Sequence, residues 1–455
     1  MSSSTKELQD ELAAQGVEYF FGAFTDVHGV PKSKAVPIGK LTDAAEGSEL
    51  YTVGALEGMG VLGPNEDECV SVPDLSRTTV LPWDKRYAVA PANLFLHDEP
   101  YPFDFRAILQ RQTAEAAKLG FTVNFGVEPE LYVLRPKGDG EWEPYIADDL
   151  LVPATRGYDL EATIQADGFL VPMVEYMNEL GWGVYSFDHE GGDGQYEFDF
   201  GYTEAVEMCD RMMIFKLMSK HVARTLGCIA SYMPKPTQSS FGSGAHFNMS
   251  LADIHTGANV FDAKAPAGSA PGDGYTELAY QFTAGILEHS AAITAVLAPT
   301  VNSYKRLLPR GLMKEISWAP VYAAYGYNNR TLMCRMPVNR RALEIRIADS
   351  AVNFYLGAAL TIAAGLDGIR RGLAPGEPVN YDTYSVSEKE LADRGVKRLP
   401  VNLGEAISAF EADPLIREVL GDAVTEHYAG YKADEWLQYN TVVSKWERDK
   451  YLQQW

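Results

Sequence analysis

Val127-Glu128-Pro129-Glu130-Leu131 is the stretch on which the reading of this chain turns. In a strand, successive side chains alternate faces, so Glu128 and Glu130 point the same way, about 6–7 Å apart along the chain. Three further segments repeat the pattern. Gln195 to Phe200 puts Gln195, Glu197 and Asp199 on one face and Tyr196, Phe198 and Phe200 on the other. His246 to Ser250 presents His246, Asn248 and Ser250, and Leu343 to Ile347 presents Glu344 and Arg346. One such strand is simply the wet face of a half-exposed sheet. Four of them, with glutamate recurring where Thr, Lys and Ser usually mix, would line a funnel with hard oxygen ligands if they share a sheet. That set suits Mg²⁺ or Mn²⁺ rather than zinc, because no thiol lies in these strands.

A cationic set accompanies the carboxylates: Arg306 in Asn-Ser-Tyr-Lys-Arg, Arg330 in Asn-Asn-Arg, then Arg335 and Arg346. Arginines beside carboxylate-bound metal point to an anionic substrate whose charge grows in the transition state, as in phosphoryl transfer. The alternative is scattered surface arginines, but Arg330 and Arg335 lie in an otherwise apolar, Asn-rich stretch. The chain has no GxxxxGK[ST] loop and no kinase-type glycine loop. Gly242-Ser243-Gly244 ahead of His246 serves either a tight turn or a close backbone approach to ligand.

The rest of the chain bounds the answer. It has 455 residues, so two domains are expected. The formal charge of −23 disfavours a nucleic-acid partner. No apolar run is long enough to span a membrane, the start is polar and acidic rather than secretory, and the four cysteines are scattered, so a cytoplasmic location is expected. Residues 1–100 read as a small β-rich domain after an opening helix, with a Pro-rich exit from Leu81 to Pro102. Residues 101–455 mix helices and strands. Helices are expected over Phe105–Leu119, Ala205–Leu226, Tyr275–Leu297, Val352–Arg371 and the charged tail from Leu403, and a strand over Phe121–Leu134.

Taken in order, the motifs resemble the glutamine synthetase family. They are Glu-Pro-Glu at 128–130, His-Glu…Gly-Gln-Tyr-Glu at 189–197, Pro-Lys-Pro…Gly-Ser-Gly-Ala-His at 234–246, Asn-Ser-Tyr-Lys-Arg at 302–306, Asn-Arg…Arg at 329–335 and Glu-Ile-Arg at 344–346. The similarity spans nearly the whole chain, including the Asp-Val-His-Gly turn at 26–29, and is nearest to the branch that includes γ-glutamylmethylamide synthetases. The resemblance implies an α+β fold: an N-terminal β-grasp domain and a catalytic domain with a curved antiparallel sheet flanked by helices. It implies a homo-oligomer of two hexameric rings with each active site between subunits. It further implies two or three Mg²⁺ (or Mn²⁺) per site, with one held by Glu130, Glu190 and Glu197 and the second by Glu128, His246 and Glu344. By the same resemblance Arg306 grips the glutamate α-carboxylate and Gly242 offers it backbone contacts, while Arg330, Arg335 and Arg346 handle the ATP phosphates. Asp26 of the neighbouring subunit, Tyr158 and Glu190 line the amine site, Ser250 joins the substrate-binding residues, and Glu315 stands as the flap glutamate.

The implied chemistry is coherent. A carboxylate is a poor acyl donor, so ATP converts it to a γ-glutamyl phosphate, with cations and arginines offsetting the charge. The amine must lose a proton before it attacks, and a carboxylate pocket both attracts the ammonium form and accepts that proton. Three departures stand out. Asn248 replaces a second histidine, Phe241 replaces the asparagine before Gly-Ser-Gly, and the loop from Arg306 to Trp318 is long. The acceptor expected is methylamine, with ammonia or a larger amine as the alternatives. An inactive scaffold ring and another Mg²⁺ phosphotransferase are the readings from other classes, but no carboxylate or arginine of the set is missing.

Overall fold

The computed structural model describes residues 2–145, 157–238, 240–266, 268–309 and 318–454. Helix α1 (Ser2–Ala14) opens the chain. Strands β1 (Tyr19–Thr25), β2 (Glu49–Tyr51), β3 (Cys69–Pro73) and β4 (Tyr87–Leu96) follow it. In this first sheet β1 runs parallel to β4, and β4 pairs antiparallel with β3, which pairs with β2. Leu12 of α1 packs with Val17, Phe20, Leu41, Ala88 and Ala90 on the outer face. Ala23, Phe24, Val89 and Leu94 face the other way, into the main core. A helix laid across a mixed sheet is the β-grasp arrangement.

Helix α2 (Phe105–Lys118) starts where Asp104 accepts the Ala107 N–H at 3.0 Å. Its Arg106 is buried and bonds Asp210 and Asp74, tying the first sheet to the helices behind the second. The second sheet is built on β5 (Phe121–Gly138), long enough to be the spine. Then come α3 (Asp167–Glu179), β6 (Val184–His189), β7 (Gln195–Phe200), α4 (Ala205–Thr225) and β8 (Ala245–Asp253). After α5 (Glu277–Glu288) and α6 (Ser290–Leu297) the chain returns through β9 (Tyr322–Tyr327), β10 (Leu332–Met336) and β11 (Leu343–Ile345). The order across the sheet is β6-β7-β5-β8-β11-β10-β9. Neighbours are antiparallel except β9 and β10, which run parallel. In β7, Tyr196, Phe198 and Phe200 are buried against Phe169 and Phe215, as the period of two requires.

Helices α2 and α4 pack on β5, α7 (Phe354–Arg371) packs on both of them, and α8 (Leu403–Ala412) lies between α6 and α9 (Asp422–Thr441). The expected helix start at Val352 moves to Phe354, because Asn353 caps it through the Tyr355 and Leu356 N–H groups. The helix ends at Gly372, whose φ of +60° suits glycine. The single helix expected over Tyr275–Leu297 is instead broken at His289, where φ −93° and ψ 9° leave the helical region. The charged tail breaks likewise at Asp413-Pro414 and Gly421. No helix among the described residues is long and apolar enough to cross a membrane.

Candidate active site

Strand register brings the carboxylates together. Glu197 on β7 pairs with Glu130 on β5, and His246 on β8 pairs with Glu128. Asn248 pairs with Glu344 on β11, and Glu344 with Arg335 on β10. The four segments thus share one sheet and one face. Two trios form, Glu128 with His246 and Glu344, and Glu130 with Glu197 and His246. Within each trio the donor atoms lie within 4.8 Å of one another.

The electrostatics suit a cation. Burial and the Arg346 charge push the His246 imidazole down to about 4, so it is neutral at neutral pH and free to ligate. Burial and the Glu190 charge push Glu130 up to about 8. Burial and its carboxylate neighbours hold Glu197 well above the ordinary range. Two carboxylates forced toward the neutral form are what a divalent ion between them would relieve. Burial also acts on Glu128, but the His246 hydrogen bond and the Arg340 and Arg346 charges hold it down to about 2. With oxygen donors and one imidazole, the residues fit a hard divalent cation.

A supporting layer fixes these donors. Gln195 donates from Nε2 to Glu130 Oε2 at 2.8 Å and to the Gly242 carbonyl at 3.2 Å. The Gly244 N–H donates to the same Glu130 oxygen at 2.8 Å. A side chain at Gly244 would meet His246 Nε2, Arg306 Nη2 and Glu130 Oε1, all within 2.9 Å of its Cβ. Close approach therefore explains this glycine, rather than a turn. The sequence marked Gln195 only as one polar residue of its strand. Its bond to Glu130 joins neighbouring strands and leaves no mark in linear spacing.

Residues 344–353 organise much of the site. Glu344 lies in the trio with Glu128 and His246. The carbonyls of Arg346 and Ile347 accept the two Nη groups of Arg306, each at 3.0 Å. The Ser350 hydroxyl meets the carbonyls of Glu130 and Gly244. Asn353 donates to the Asp26 carbonyl at 3.0 Å.

Arg306 is packed so closely on Gly242 that a Cβ there would sit 2.7 Å from Arg306 Cγ. Among the described residues it makes no ion pair, so its charge remains open to an anionic ligand. Arg335 and Arg346 both bond Glu344, Arg335 at 2.5 Å. The Arg330 carbonyl accepts from Arg346 Nε at 3.1 Å. Arg340, which sequence reasoning missed, reaches Glu128, Asn248 and Glu344. Its meaning lies in contacts to other strands, which leave no mark in linear spacing.

Glu190 follows β6 and does not join the trio with Glu130 and Glu197 among the described contacts; its Oε2 accepts the Gly191 N–H at 3.0 Å. Tyr158 lies beside it, with φ +63°, a 74% exposed side chain and an N–H bonded to the His189 carbonyl. Glu190 and Arg330 both act on the Tyr158 phenol. Phe241 lies over Gly191, where a Cβ would come 2.7 Å from the ring, and stacks on Trp318 at 6.1 Å between centroids. Ser250 is buried on the same strand as His246. Glu315 lies outside the described residues.

Asp26 is fixed in a turn of the first sheet. It is 2% exposed, its Oδ1 accepts the His28 and Val30 N–H groups at 3.0 Å, and its Oδ2 pairs with Lys32 at 3.0 Å. Within this chain both oxygens close its own turn.

Residues 102–451 match the family model described as glutamine synthetase, catalytic domain. The chain belongs to the glutamine synthetase family. It is 37% identical over 451 residues to the glutamate–methylamine ligase of Methyloversatilis universalis, covering 99% of each chain. It is 34% identical over 446 residues to a glutamine synthetase of Rhizobium leguminosarum bv. phaseoli, covering 96% of this chain and 97% of the other. A solved structure of GmaS with ADP superposes with a TM-score of 0.88 at 33% identity, covering 98% of this chain and 99% of that one. Like its glutamine synthetase relatives, the chain is a ligase of α+β fold whose family uses ATP and divalent metal.

Proposed function

We propose that this chain is a Mg-ATP-dependent ligase that joins the γ-carboxylate of glutamate to methylamine, giving γ-glutamylmethylamide by way of a γ-glutamyl phosphate. The observation that carries the acceptor is the Phe241–Trp318 stack over Gly191, next to Glu190. It sets apolar surface beside a carboxylate, the pairing a methylammonium ion needs. The identity to a glutamate–methylamine ligase supports the same reading.

Glu128, His246 and Glu344 would hold one divalent cation, and Glu130, Glu190 and Glu197 a second; three per site are within the proposal. Bound there, such ions neutralise phosphate charge and orient the transferring group. Arg306 takes the α-carboxylate of glutamate beside the Gly242 backbone. Arg330, Arg335 and Arg346 bind the phosphates, whose charge rises in the transition state. Glu190 attracts the alkylammonium and receives its proton, with Tyr158 at the mouth. The division into 1–100 and 101–455, a dodecamer of two hexameric rings and a cytoplasmic location belong to the same proposal.

The test is kcat/KM for methylamine, ammonia and ethylamine with glutamate and Mg-ATP, followed by phosphate release. Methylamine is expected to be at least as good as ammonia. Methylamine more than about a hundredfold worse, about 2.7 kcal/mol, would return the chain to ammonia-using glutamine synthetase. Sedimentation velocity tests the assembly, and a fully active monomer would refute it.

A further inference from the structure

Three arginines converge on Glu344, and they are not alike. Arg346 has its guanidinium buried, its Nε fixed on the Arg330 carbonyl and an Nη on Glu344. Arg335 is nearly buried and pairs with Glu344 at 2.5 Å. Arg340 is 40% exposed at its side chain. Its Nη2 donates to Glu128 Oε1 at 3.1 Å, to Asn248 Oδ1 at 2.7 Å and to Glu344 Oε2 at 3.2 Å. Asn248 in turn donates from Nδ2 to Glu128 Oε1 at 3.0 Å. The shortest of the Arg340 contacts is thus to a neutral amide that itself grips Glu128.

Glu128 and Glu344 are two of the three members of one trio. A divalent cation entering that trio must share their oxygens with a guanidinium already bonded to them. Two like charges competing for the same carboxylates repel, and the mobile one gives way. Arg335 and Arg346 are walled in, so Arg340 is the one that can leave toward solvent. An imidazole at position 248 would offer one donor or one acceptor per ring nitrogen. A carboxamide donates to Glu128 and accepts from Arg340 at once.

We propose that Arg340 is an internal counter-ion that competes with the divalent cation for Glu128 and Glu344, and that Asn248 is the latch holding it there. Arg340 then sets the metal affinity of the Glu128–His246–Glu344 trio, and Asn248 is a positioning residue that acts through it. This rests on the metal-site reading above. Release of Arg340 on cation binding also frees a positive side chain at the edge of the site where phosphate oxygens arrive.

The test is Mn²⁺ binding to the full-length, nucleotide-free protein, measured by the EPR signal of free Mn²⁺ and by calorimetry. R340Q is expected to bind Mn²⁺ roughly tenfold or more tightly, since one competing charge is gone. N248A keeps the arginine, removes its latch and is expected to move affinity in the same direction by less. E344Q should weaken binding, and in that background R340Q should lose most of its effect. Unchanged or weaker Mn²⁺ affinity in a folded R340Q overturns the proposal. Should R340Q fail to fold, unchanged or weaker affinity in N248A overturns it instead. Absence of Mn²⁺ binding in the wild type would sink the metal-site reading along with this one; normal binding unaltered by R340Q would sink this one alone.

Discussion

Glu197 stands directly opposite Glu130 across β7 and β5, and both carboxylates come within 4.8 Å of each other and of His246. Burial and repulsion by neighbouring carboxylates hold both above the ordinary carboxylate range, so without a cation the pair destabilises the fold at neutral pH. Replacing Glu197 by Gln therefore has opposite effects on two readouts. The melting temperature in EDTA is expected to hold or rise. The stabilisation given by saturating Mn²⁺, about 2.7 kcal/mol at a hundred times Kd, is expected to shrink, and turnover to vanish. A variant that melts lower in EDTA and keeps its Mn²⁺ shift would show that the pair is not a metal site. The comparison is made by calorimetry at one protein concentration.

Gly244 faces His246, Arg306 and Glu130 with no room for a methyl group. Gly244→Ala is expected to cost about 1–3 kcal/mol of stability by overpacking. Its effect on kcat/KM should be far larger, at least about a hundredfold, because three site groups shift together. Near-normal kinetics in G244A would mean that the donors tolerate displacement.

Phe241 and Trp318 bear on acceptor choice. Phe241→Asn removes the apolar surface beside Glu190 and is expected to shift the methylamine-to-ammonia ratio of kcat/KM about tenfold toward ammonia. The KM for ATP should stay within about twofold, since Phe241 touches Gly191 and Trp318 rather than the arginines. Equal losses on both amines would assign the ring to general packing.

His289 makes stability depend on pH. Burial lowers its pKa, but Asp413 at 2.7 Å and Asp367 at 3.0 Å more than offset this, and the net shift is upward. A raised pKa favours the charged form in the folded state. The stabilisation is therefore full below the ordinary histidine value of about 6.5 and is lost as pH climbs through the raised one. Unfolding free energy is expected to fall over that window, by at most about 1.4 kcal/mol per pH unit for one proton, and melting temperature with it. His289→Gln should flatten the slope and lower stability at pH 6. An identical slope in H289Q would assign it to other groups.

The sequence carried the site wherever strand periodicity carried it. Glu128, Glu130, Glu197, His246 and Glu344 are legible because side chains two apart share a face, and the registers then set those faces side by side. Gln195 on Glu130, Arg340 on Glu128 and Asn248 between them were not legible, since their meaning lies in cross-strand contacts. The bonds that hold Asp26 in its turn, two N–H groups and Lys32, were likewise not legible. The broken helix at His289 was hidden because Tyr275–Leu297 keeps its apolar period through the bend, and the aspartates that His289 meets there, Asp367 and Asp413, are far along the chain.

Residues 344–353 bind several duties to one short thread. Glu344 serves the cation trio, two carbonyls hold Arg306, Ser350 ties the backbones of Glu130 and Gly244, and Asn353 fastens the Asp26 turn. One inserted residue would displace every contact beyond it. Metal, carboxylate grip and the seam to the first sheet would fail in a single step. The Phe241 and Trp318 rings lie outside this thread, so a change there leaves all four of its duties in place.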